Sequence, residues 1–251
     1  MAMQIPLSPP SAPPLKRGFV RVLFGEPHQR LLDEINFCLQ SPILGEFTTY
    51  VLGQDNYDRL RRLGARCVLV NSKSMVHPTQ TYRNRLRCLE VAAKDYDEMV
   101  ALDWNCYPTR RLPPDFWDRL STKARFQAPL VRYRAGLAHW RPPNRSRCLL
   151  PNGGWLYFRQ PPIIIEDMEH LWDSSRAGQL DEVVYARWTD NQLGDQLPWV
   201  RPIQPSLEIY YKHFEPLFVN LTRTSITYYL PDLLRDKDPI FKHELLPAKI
   251  S

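Results

Sequence analysis

The chain has 251 residues, of which 43% are hydrophobic, and a formal net charge of +6. This composition supports one large core and favours anionic partners, such as nucleotides, phosphorylated lipids, nucleic acid or an acidic membrane surface. Five scattered cysteines lack the Cys-x-x-Cys spacing of zinc sites, and no stretch approaches the roughly 18 consecutive apolar residues of a membrane span. The sequence predicts a cytoplasmic protein without a transmembrane segment, with a peripheral position at a membrane as the alternative.

The two terminal segments differ in composition from the middle of the chain. Residues 1–16 contain five prolines among small and polar residues, which predicts a mobile tail and argues against a secretory signal peptide. Residues 231–251 are charged and contain proline, as expected of a segment that wraps a surface. We therefore expect one folded domain over residues 17–230, between a flexible tail and a C-terminal surface extension.

After the tail, apolar runs alternate with amphipathic segments. Residues 19–24, 47–52 and 67–70 predict buried strands, and residues 28–39 and 57–63 predict helices. Such alternation is typical of a parallel sheet with helices on its faces. The sequence thus predicts an α/β fold with a Rossmann-like, mostly parallel central sheet flanked by helices.

A longer helix is predicted over residues 79–94, where apolar side chains recur at spacings of three and four. Its other face is rich in arginine, and we expect most of these side chains to be solvated. The exception is an arginine in the first two turns, either Arg83 or Arg85. If the helix packs beside the next strand, this guanidinium can reach toward a pyrophosphate, whose oxygens it is well shaped to bind.

The next apolar run, residues 99–102, predicts a buried strand that ends abruptly at Asp103 and Asn105. In open α/β sheets, ligands bind at the carboxyl ends of the strands. On an extended chain both side chains point to the same side, and their two oxygens suit a hard divalent cation that carries a phosphate group. The alternative is that the two residues only cap the turn toward Pro108.

Further along the chain, residues 121–147 are basic and irregular, and we expect an insertion or a flap there. Gly153 and Gly154 precede an apolar strand, where paired glycines let the backbone approach a ligand or form a tight turn. Residues 189–196 form a polar cluster that either caps a helix or faces a substrate. The motifs of P-loop NTPases, dinucleotide oxidoreductases, zinc peptidases and serine hydrolases are absent from the sequence, which argues against those functions.

The order of these motifs resembles the GT-A class of nucleotide-sugar glycosyltransferases, and most of all the bacterial and glycogenin-type enzymes with a Leu-Asp-x-Asp core. The likeness spans residues 19–218, and the segments that carry it are residues 82–86, 100–105, 152–156 and 190–196. The resemblance implies a single GT-A-like domain. It also implies transfer of a sugar from a nucleotide diphosphate donor, a UDP-sugar, to a hydroxyl of a glycan or another acceptor.

The resemblance further implies roles for individual residues at the donor. Arg85, or else Arg83, would contact the nucleotide diphosphate. Asp103 and Asn105 would hold Mn²⁺ or Mg²⁺, and His213 is a candidate third ligand.

The same resemblance implies a sugar pocket and a catalytic element. Asn152, Gly153 and Gly154 would line the pocket. A later Asp-Gln element would face the anomeric carbon or orient the acceptor hydroxyl, and two pairs fit that place: Asp190 with Gln192, and Asp195 with Gln196.

One position departs from the family pattern. Asn105 stands where the family has a second aspartate, so a neutral carbonyl replaces an anionic metal ligand and the metal should be held less tightly. Metal-independent transfer and a catalytically inactive relative are therefore open alternatives. The competing class is a basic binding protein that grips nucleic acid or another anion through the arginine-rich residues 125–147. Nucleic acid is disfavoured, because no recognition motif accompanies that basic segment.

Overall fold

The structure is a computed structural model that describes residues 14–41, 46–71, 82–108, 111–122, 125–128, 130–132, 149–151, 153–172, 184–185, 218–221 and 226–229. Its helices are α1 (Gln29–Gln40), α2 (Gln54–Arg62), α3 (Arg83–Ala93), α4 (Phe116–Ser121) and α5 (Pro161–His170). Its strands are β1 (Arg17–Leu23), β2 (Phe47–Leu52), β3 (Cys67–Val70), β4 (Glu98–Leu102), β5 (Cys106–Pro108), β6 (Phe126–Gln127), β7 (Leu130–Arg132), β8 (Leu149–Pro151), β9 (Trp155–Arg159), β10 (Phe218–Leu221) and β11 (Ile226–Tyr229).

Six strands form the central sheet in the order β3-β2-β1-β4-β9-β6. The first four of these strands are parallel to one another, and β9 runs antiparallel to both of its neighbours. The sheet is therefore mostly parallel, and its helices pack on both faces, which confirms the predicted α/β fold class. Strands β1 to β4 all end at one edge, which we call the carboxyl edge, and they all begin at the opposite amino edge.

The alternation of side chains along β1 explains how the two faces are covered. Val20 and Val22 point into the core that contains residues of α3 and α5. Leu23 belongs to the other core, with residues of α1 and α2. All five residues of β4 are buried, because this strand lies at the centre of the sheet with a neighbour on each side. Asp103, the charged residue that follows β4, is therefore attached to a fully buried strand.

The second half of the domain adds two strands to the central sheet. In the basic segment 121–147, where the sequence predicts an insertion or a flap, Phe126–Gln127 instead form an edge strand of the central sheet beside β9, and residues 133–147 lie outside the described part of the chain. The strand after the paired glycines, β9, joins the sheet antiparallel to β4. Strands β9 and β6 together extend the central sheet beyond β4.

A smaller sheet combines β5, the strand that follows β4 in the chain, with the two late strands β10 and β11. Its order is β11-β10-β5, and all its pairs are antiparallel. Only three residues, 103–105, separate the end of β4 from the start of β5, so the connection is short and tightly constrained.

In the part of the chain that the structure describes, no helix is both long and apolar enough to cross a membrane. Residues 1–13 and 230–251 lie outside that part, so the predicted tail, domain limits and C-terminal extension stay predictions.

Candidate active site

The segment between β4 and β5 is a tight turn formed by residues 103–106. The N–H of Cys106 donates to the carbonyl of Asp103 at 3.0 Å, which closes the turn, and the N–H of Asp103 donates to the carbonyl of Gly154 at 3.0 Å. The turn replaces the extended geometry that the sequence suggested. It sends the Trp104 indole into the core, where the ring N–H donates to the Val22 carbonyl at 2.9 Å. Asp103 and Asn105 stay partly exposed at the carboxyl edge.

Arg85 of α3 connects the turn to the paired glycines. Its side chain is 6% exposed, and its Nη2 lies 2.9 Å from Oδ1 of Asp103, whose side chain is 38% exposed. The same Nη2 donates to the carbonyl of Gly153. Three separate segments that the sequence singled out therefore meet at one guanidinium. Because Arg85 is buried behind Asp103, it fixes the position of the carboxylate and leaves Asp103 as the exposed member of the pair.

Arg83, the alternative to Arg85, contacts a different part of the molecule. Its Nε lies 3.2 Å from Oε2 of Glu169 in α5, and the Nε of Arg87 lies 3.7 Å from the other oxygen of that carboxylate. Arg83 thus contributes to the contact between α3 and α5. Of the two arginines that the sequence proposed for the donor, the structure places Arg85 at Asp103.

A second buried arginine, Arg21 of β1, was missed by the sequence reasoning. Its relative exposure is 0%, its Nη1 donates to the carbonyl of Asp103, and its Nη2 donates to the carbonyl of Cys106 at 2.9 Å. The sequence feature that could have identified Arg21 is its place in the middle of the otherwise apolar run of residues 19–24. A cation in a predicted buried strand breaks the local pattern and is a mark of a functional or strained position.

Three aromatic rings surround the Arg21 guanidinium. Its central carbon lies 5.2 Å from the ring centroid of Phe47, 5.3 Å from that of Trp104 and 6.0 Å from that of Tyr107. These distances are within the range of cation–π attraction. Among the described residues the guanidinium makes no ion pair, so the contacts that hold this cation are carbonyl oxygens and ring faces.

Glu34 of α1 is a further carboxylate in the neighbourhood of Asp103. Its side chain is 14% exposed and pairs with Arg30 one helical turn earlier, at 3.0 Å. Burial raises the pKa of Glu34, Arg30 opposes this rise, and the negative charge of Asp103 adds to it. No sequence pattern singles out Glu34, because an arginine and a glutamate four residues apart are common on a solvated helix face.

The cysteines near the site are protonated packing residues. Burial raises the pKa of the Cys38 thiol to about 11, and its Sγ donates to the Trp104 carbonyl at 3.4 Å. Burial also raises the pKa of Cys88 to about 12 and that of Cys106 well above its usual value. The four cysteines in the described part of the chain are all free thiols. Thiolate chemistry at neutral pH is not favoured at any of these three buried positions.

The donor atoms at the turn can be compared with the needs of Mn²⁺ or Mg²⁺. Asp103 offers one carboxylate that already pairs with Arg85, and Asn105 offers a neutral amide oxygen. No group of three or more His, Cys, Asp or Glu side chains suited to a metal occurs among residues that the structure describes. Such a donor set fits a cation that arrives with the phosphates of a nucleotide, since Mg²⁺ commonly takes only one or two ligands from the protein in such sites.

Several predicted site residues lie outside the described residues, so the structure does not test their roles. They are Asn152 of the sugar pocket, the Asp-Gln pairs Asp190 with Gln192 and Asp195 with Gln196, and the candidate metal ligand His213.

No protein-family model matches the chain, and a search of curated proteins finds no match. Among solved structures, a Bacillus anthracis protein assigned as a glucose-1-phosphate thymidylyltransferase, in complex with sucrose, is similar with a TM-score of 0.45 and 10% identity, over 83% of this chain and 92% of that one. Mouse xyloside xylosyltransferase 1 in its apo form is similar with a TM-score of 0.45 and 9% identity, over 73% and 85%.

A third similar structure is a CMP:2-keto-3-deoxy-manno-octonic acid synthetase in complex with CTP, with a TM-score of 0.40 and 14% identity, over 70% of this chain and 86% of that one. Similarity at this level concerns the overall course of the chain. The functional interpretation therefore depends on the residues of the site itself.

Proposed function

We propose that this protein is a transferase that uses nucleotide diphosphate sugars, and specifically a glycosyltransferase that moves a sugar from a UDP-sugar to a hydroxyl of a glycan or another acceptor. The observation that carries this proposal is the Asp103 carboxylate at the carboxyl edge of the central strand, paired with the buried Arg85, which also binds the carbonyl of Gly153. A fixed carboxylate, a buried cation and closely approaching glycine backbone at this edge suit a diphosphate and its sugar.

The chemistry requires stabilisation at both ends of the bond that breaks. As the anomeric C–O bond breaks, negative charge grows on the departing diphosphate and positive charge grows on the sugar ring. Asp103 and Asn105 would hold a divalent cation against the diphosphate, and that cation would neutralise the leaving group. Arg85 fixes the Asp103 carboxylate, so little reorganisation is needed as the charge develops.

The sugar end of the reaction is assigned to residues beyond the turn. Gly153 and Gly154, with Asn152, would line the sugar pocket. Asp190 or Asp195 would face the anomeric carbon or orient the acceptor hydroxyl, with Gln192 as a further contact. His213 would complete the metal ligands. These roles come from the family resemblance, and each can be tested by substitution.

The direct test is hydrolysis of a panel of nucleotide sugars, with UDP, GDP and ADP donors, in the presence of Mn²⁺. We expect one donor class to be hydrolysed slowly by the wild-type protein and not by Asp103→Ala. The matched control is Asp118→Ala, because the Asp118 carboxylate lies at the amino edge, 2.8 Å from Nη1 of Arg17. It should retain wild-type hydrolysis.

Two outcomes would reject the transferase. The first is that no donor is hydrolysed and that no nucleoside diphosphate raises the thermal stability of the protein. A nucleoside diphosphate that binds should add about 2.7 kcal/mol to the free energy of unfolding at about a hundred times its Kd. The second is stabilisation by single-stranded DNA alone that weakens steeply with salt, which would favour the basic binding protein.

A further inference from the structure

Arg21 is an unusual residue for its position. It lies in a central strand of the sheet, it is wholly buried, and its Nε has no hydrogen-bond partner among the residues that the structure describes. Removing a guanidinium from water is costly unless a carboxylate compensates, and an apolar residue of similar volume in such a place often gives an equally stable or more stable protein. Packing therefore does not explain why an arginine occupies this position.

The register of the sheet shows what Arg21 supports. It lies opposite Leu102, the last residue of β4, so its side chain sits beside the start of the 103–106 turn. Its two Nη atoms bind the carbonyls of the first and last residues of that turn, Asp103 and Cys106. A planar guanidinium can span two such acceptors at once, whereas a lysine ammonium is a single point charge.

The two buried arginines hold Asp103 by different atoms. Arg21 binds its main-chain carbonyl, and Arg85 binds its side-chain Oδ1. Arg21, Arg85 and Asp103 together carry two positive charges and one negative charge. The nearby carboxylate of Glu34 is matched by Arg30, so the turn keeps a surplus positive charge. Both arginines are buried, and a fixed buried charge is screened less by water than the same charge on an exposed loop.

We infer that Arg21 is a positioning residue for diphosphate binding, which holds the Asp103 turn in its binding conformation and supplies the surplus positive charge behind it. This inference rests on the proposed function, since the diphosphate is that of the nucleotide donor. The proposed role of Arg21 involves only the diphosphate part of the donor, and not its base or its sugar. It therefore predicts that the site also binds inorganic pyrophosphate, which has neither.

The test is calorimetric titration of inorganic pyrophosphate with Mn²⁺ into the wild-type protein, Arg21→Met, Arg21→Lys and Arg17→Met. Arg17 is the matched control, because it lies on the same strand and face but at the amino edge, where it pairs with Glu98. We expect Arg21→Met to weaken binding by roughly 10- to 100-fold, the usual loss when the outer partner of a ligating group is removed. Arg21→Lys, which keeps the charge but not the fork, should fall between that variant and the wild type.

Arg17→Met should bind pyrophosphate like the wild type even though it unfolds at a lower temperature. If Arg21 had only a structural role, the loss of pyrophosphate affinity would instead be proportional to the loss of thermal stability in every variant, including Arg17→Met. The inference is overturned if a folded Arg21→Met or Arg21→Lys binds as tightly as the wild type, or if Arg17→Met loses as much affinity as they do.

The outcomes also separate this inference from the proposed function. If the wild type binds pyrophosphate in an Arg21-dependent way but hydrolyses no nucleotide sugar, the anion site stands and the glycosyltransferase fails. If nucleotide sugars are hydrolysed and Arg21→Lys and Arg21→Met act like the wild type, the transferase stands and the role of Arg21 fails. Absence of pyrophosphate binding by the wild type overturns the inference directly.

Discussion

Strand β1 carries two arginines, Arg17 and Arg21, four residues apart on the same face of the sheet, and their surroundings differ sharply. Arg17 at the amino edge lies 2.8 Å from Glu98 and 2.8 Å from Asp118, so its charge is matched by carboxylates. Arg21 near the carboxyl edge binds two carbonyls among three aromatic rings. Among the described residues the first arginine is therefore ion-paired, whereas the second is wholly buried without an ion pair.

The two edges of the sheet repeat this difference. The amino edge borders an open groove of about 640 Å³, in which two tyrosine hydroxyls are bonded to neighbouring polar side chains. The hydroxyl of Tyr50 donates to Asp95 at 2.5 Å, and that of Tyr96 donates to Thr48 at 3.0 Å. At the carboxyl edge, the Asp103 side chain remains 38% exposed. The proposed site is therefore assigned to the carboxyl edge because of the fixed charges around Asp103, and not because of the size of a groove.

Among the substitutions at the two edges, the largest effect is expected at Arg85. Arg85→Met removes the partner of Asp103 and the donor to the Gly153 carbonyl, so nucleoside diphosphate binding should weaken by about 100-fold, or about 2.7 kcal/mol. The free energy of unfolding should fall by about 2 kcal/mol, less than the ~3–5 kcal/mol of a fully buried pair, because Asp103 is partly exposed. Calorimetry and urea unfolding measure the two quantities.

Arg83→Met is the control for that experiment, since it lies on the same helix and pairs with Glu169. Glu169 keeps Arg87 as a neighbour, so the loss of stability should be small and binding should not change. Equal losses of affinity in the two variants would show that the helix, and not Arg85, is what matters.

The next prediction concerns Arg17. Arg17→Met leaves the carboxylate of Glu98, whose side chain is only 2% exposed, without this partner. We expect the free energy of unfolding to fall by about 2 kcal/mol, somewhat below the cost of breaking a fully buried pair, since the Arg17 side chain is itself 27% exposed. Urea unfolding checks the value. A loss of nucleotide affinity in this variant would contradict the separation of the two edges.

A smaller effect is expected from the titration of Glu34. Burial raises its pKa in the folded protein above the ordinary value of 4.5, so between these two values the folded state binds more protons than the unfolded state. The free energy of unfolding should therefore fall as the pH rises through the folded pKa of Glu34. In Glu34→Gln this part of the pH dependence should be absent, as measured by urea unfolding from acidic to neutral pH.

The control for Glu34 is Glu46→Gln, because the Glu46 side chain is 94% exposed. Its stability should follow the same pH profile as the wild type. If Glu34→Gln also kept the wild-type profile, the carboxylate would titrate normally and the electrostatic interaction between Glu34 and Asp103 would be negligible.

The smallest effect is expected for thiol reactivity. Because burial raises the pKa of Cys38 to about 11 and that of Cys88 to about 12, both should carry about 100-fold less thiolate than an ordinary cysteine, or less still. Site-resolved mass spectrometry should find both unlabelled by a maleimide in the native protein and labelled in urea. Labelling of Cys38 as fast as that of a free peptide thiol would show that the packing behind the turn is open.

The sequence predicted the parallel part of the fold well because local and global signals agree there. Apart from Arg21, residues 19–24 form an apolar run followed by Gly25, and β2 is followed by Gly53; both glycines adopt positive φ, the conformation that glycine tolerates best. After Glu98 the residues of β4 are apolar, and the polar residue that follows the strand, Asp103, marks the carboxyl edge. These features are readable within short windows of sequence.

The features that the sequence did not predict depend on contacts between distant residues. Strand β6 has only two residues in a basic segment, too few to show a period, and it exists because β9 pairs with it. The turn after β4 depends on the indole of Trp104, which binds a carbonyl in β1. Arg21 was overlooked because its acceptors are main-chain carbonyls 82 and 85 residues away, which no side-chain motif reveals.

We propose that the Asp103 carboxylate, held by Arg85 and the 103–106 turn, binds a nucleoside diphosphate through a divalent cation. The most direct measurement is calorimetric titration of UDP, GDP and ADP with Mn²⁺ into the wild type, Asp103→Asn and Asp118→Asn. We expect the wild type and Asp118→Asn to bind one of these nucleotides with equal affinity and Asp103→Asn to lose at least about 100-fold, or about 2.7 kcal/mol. Binding of the same nucleotide by Asp103→Asn with wild-type affinity would contradict the claim.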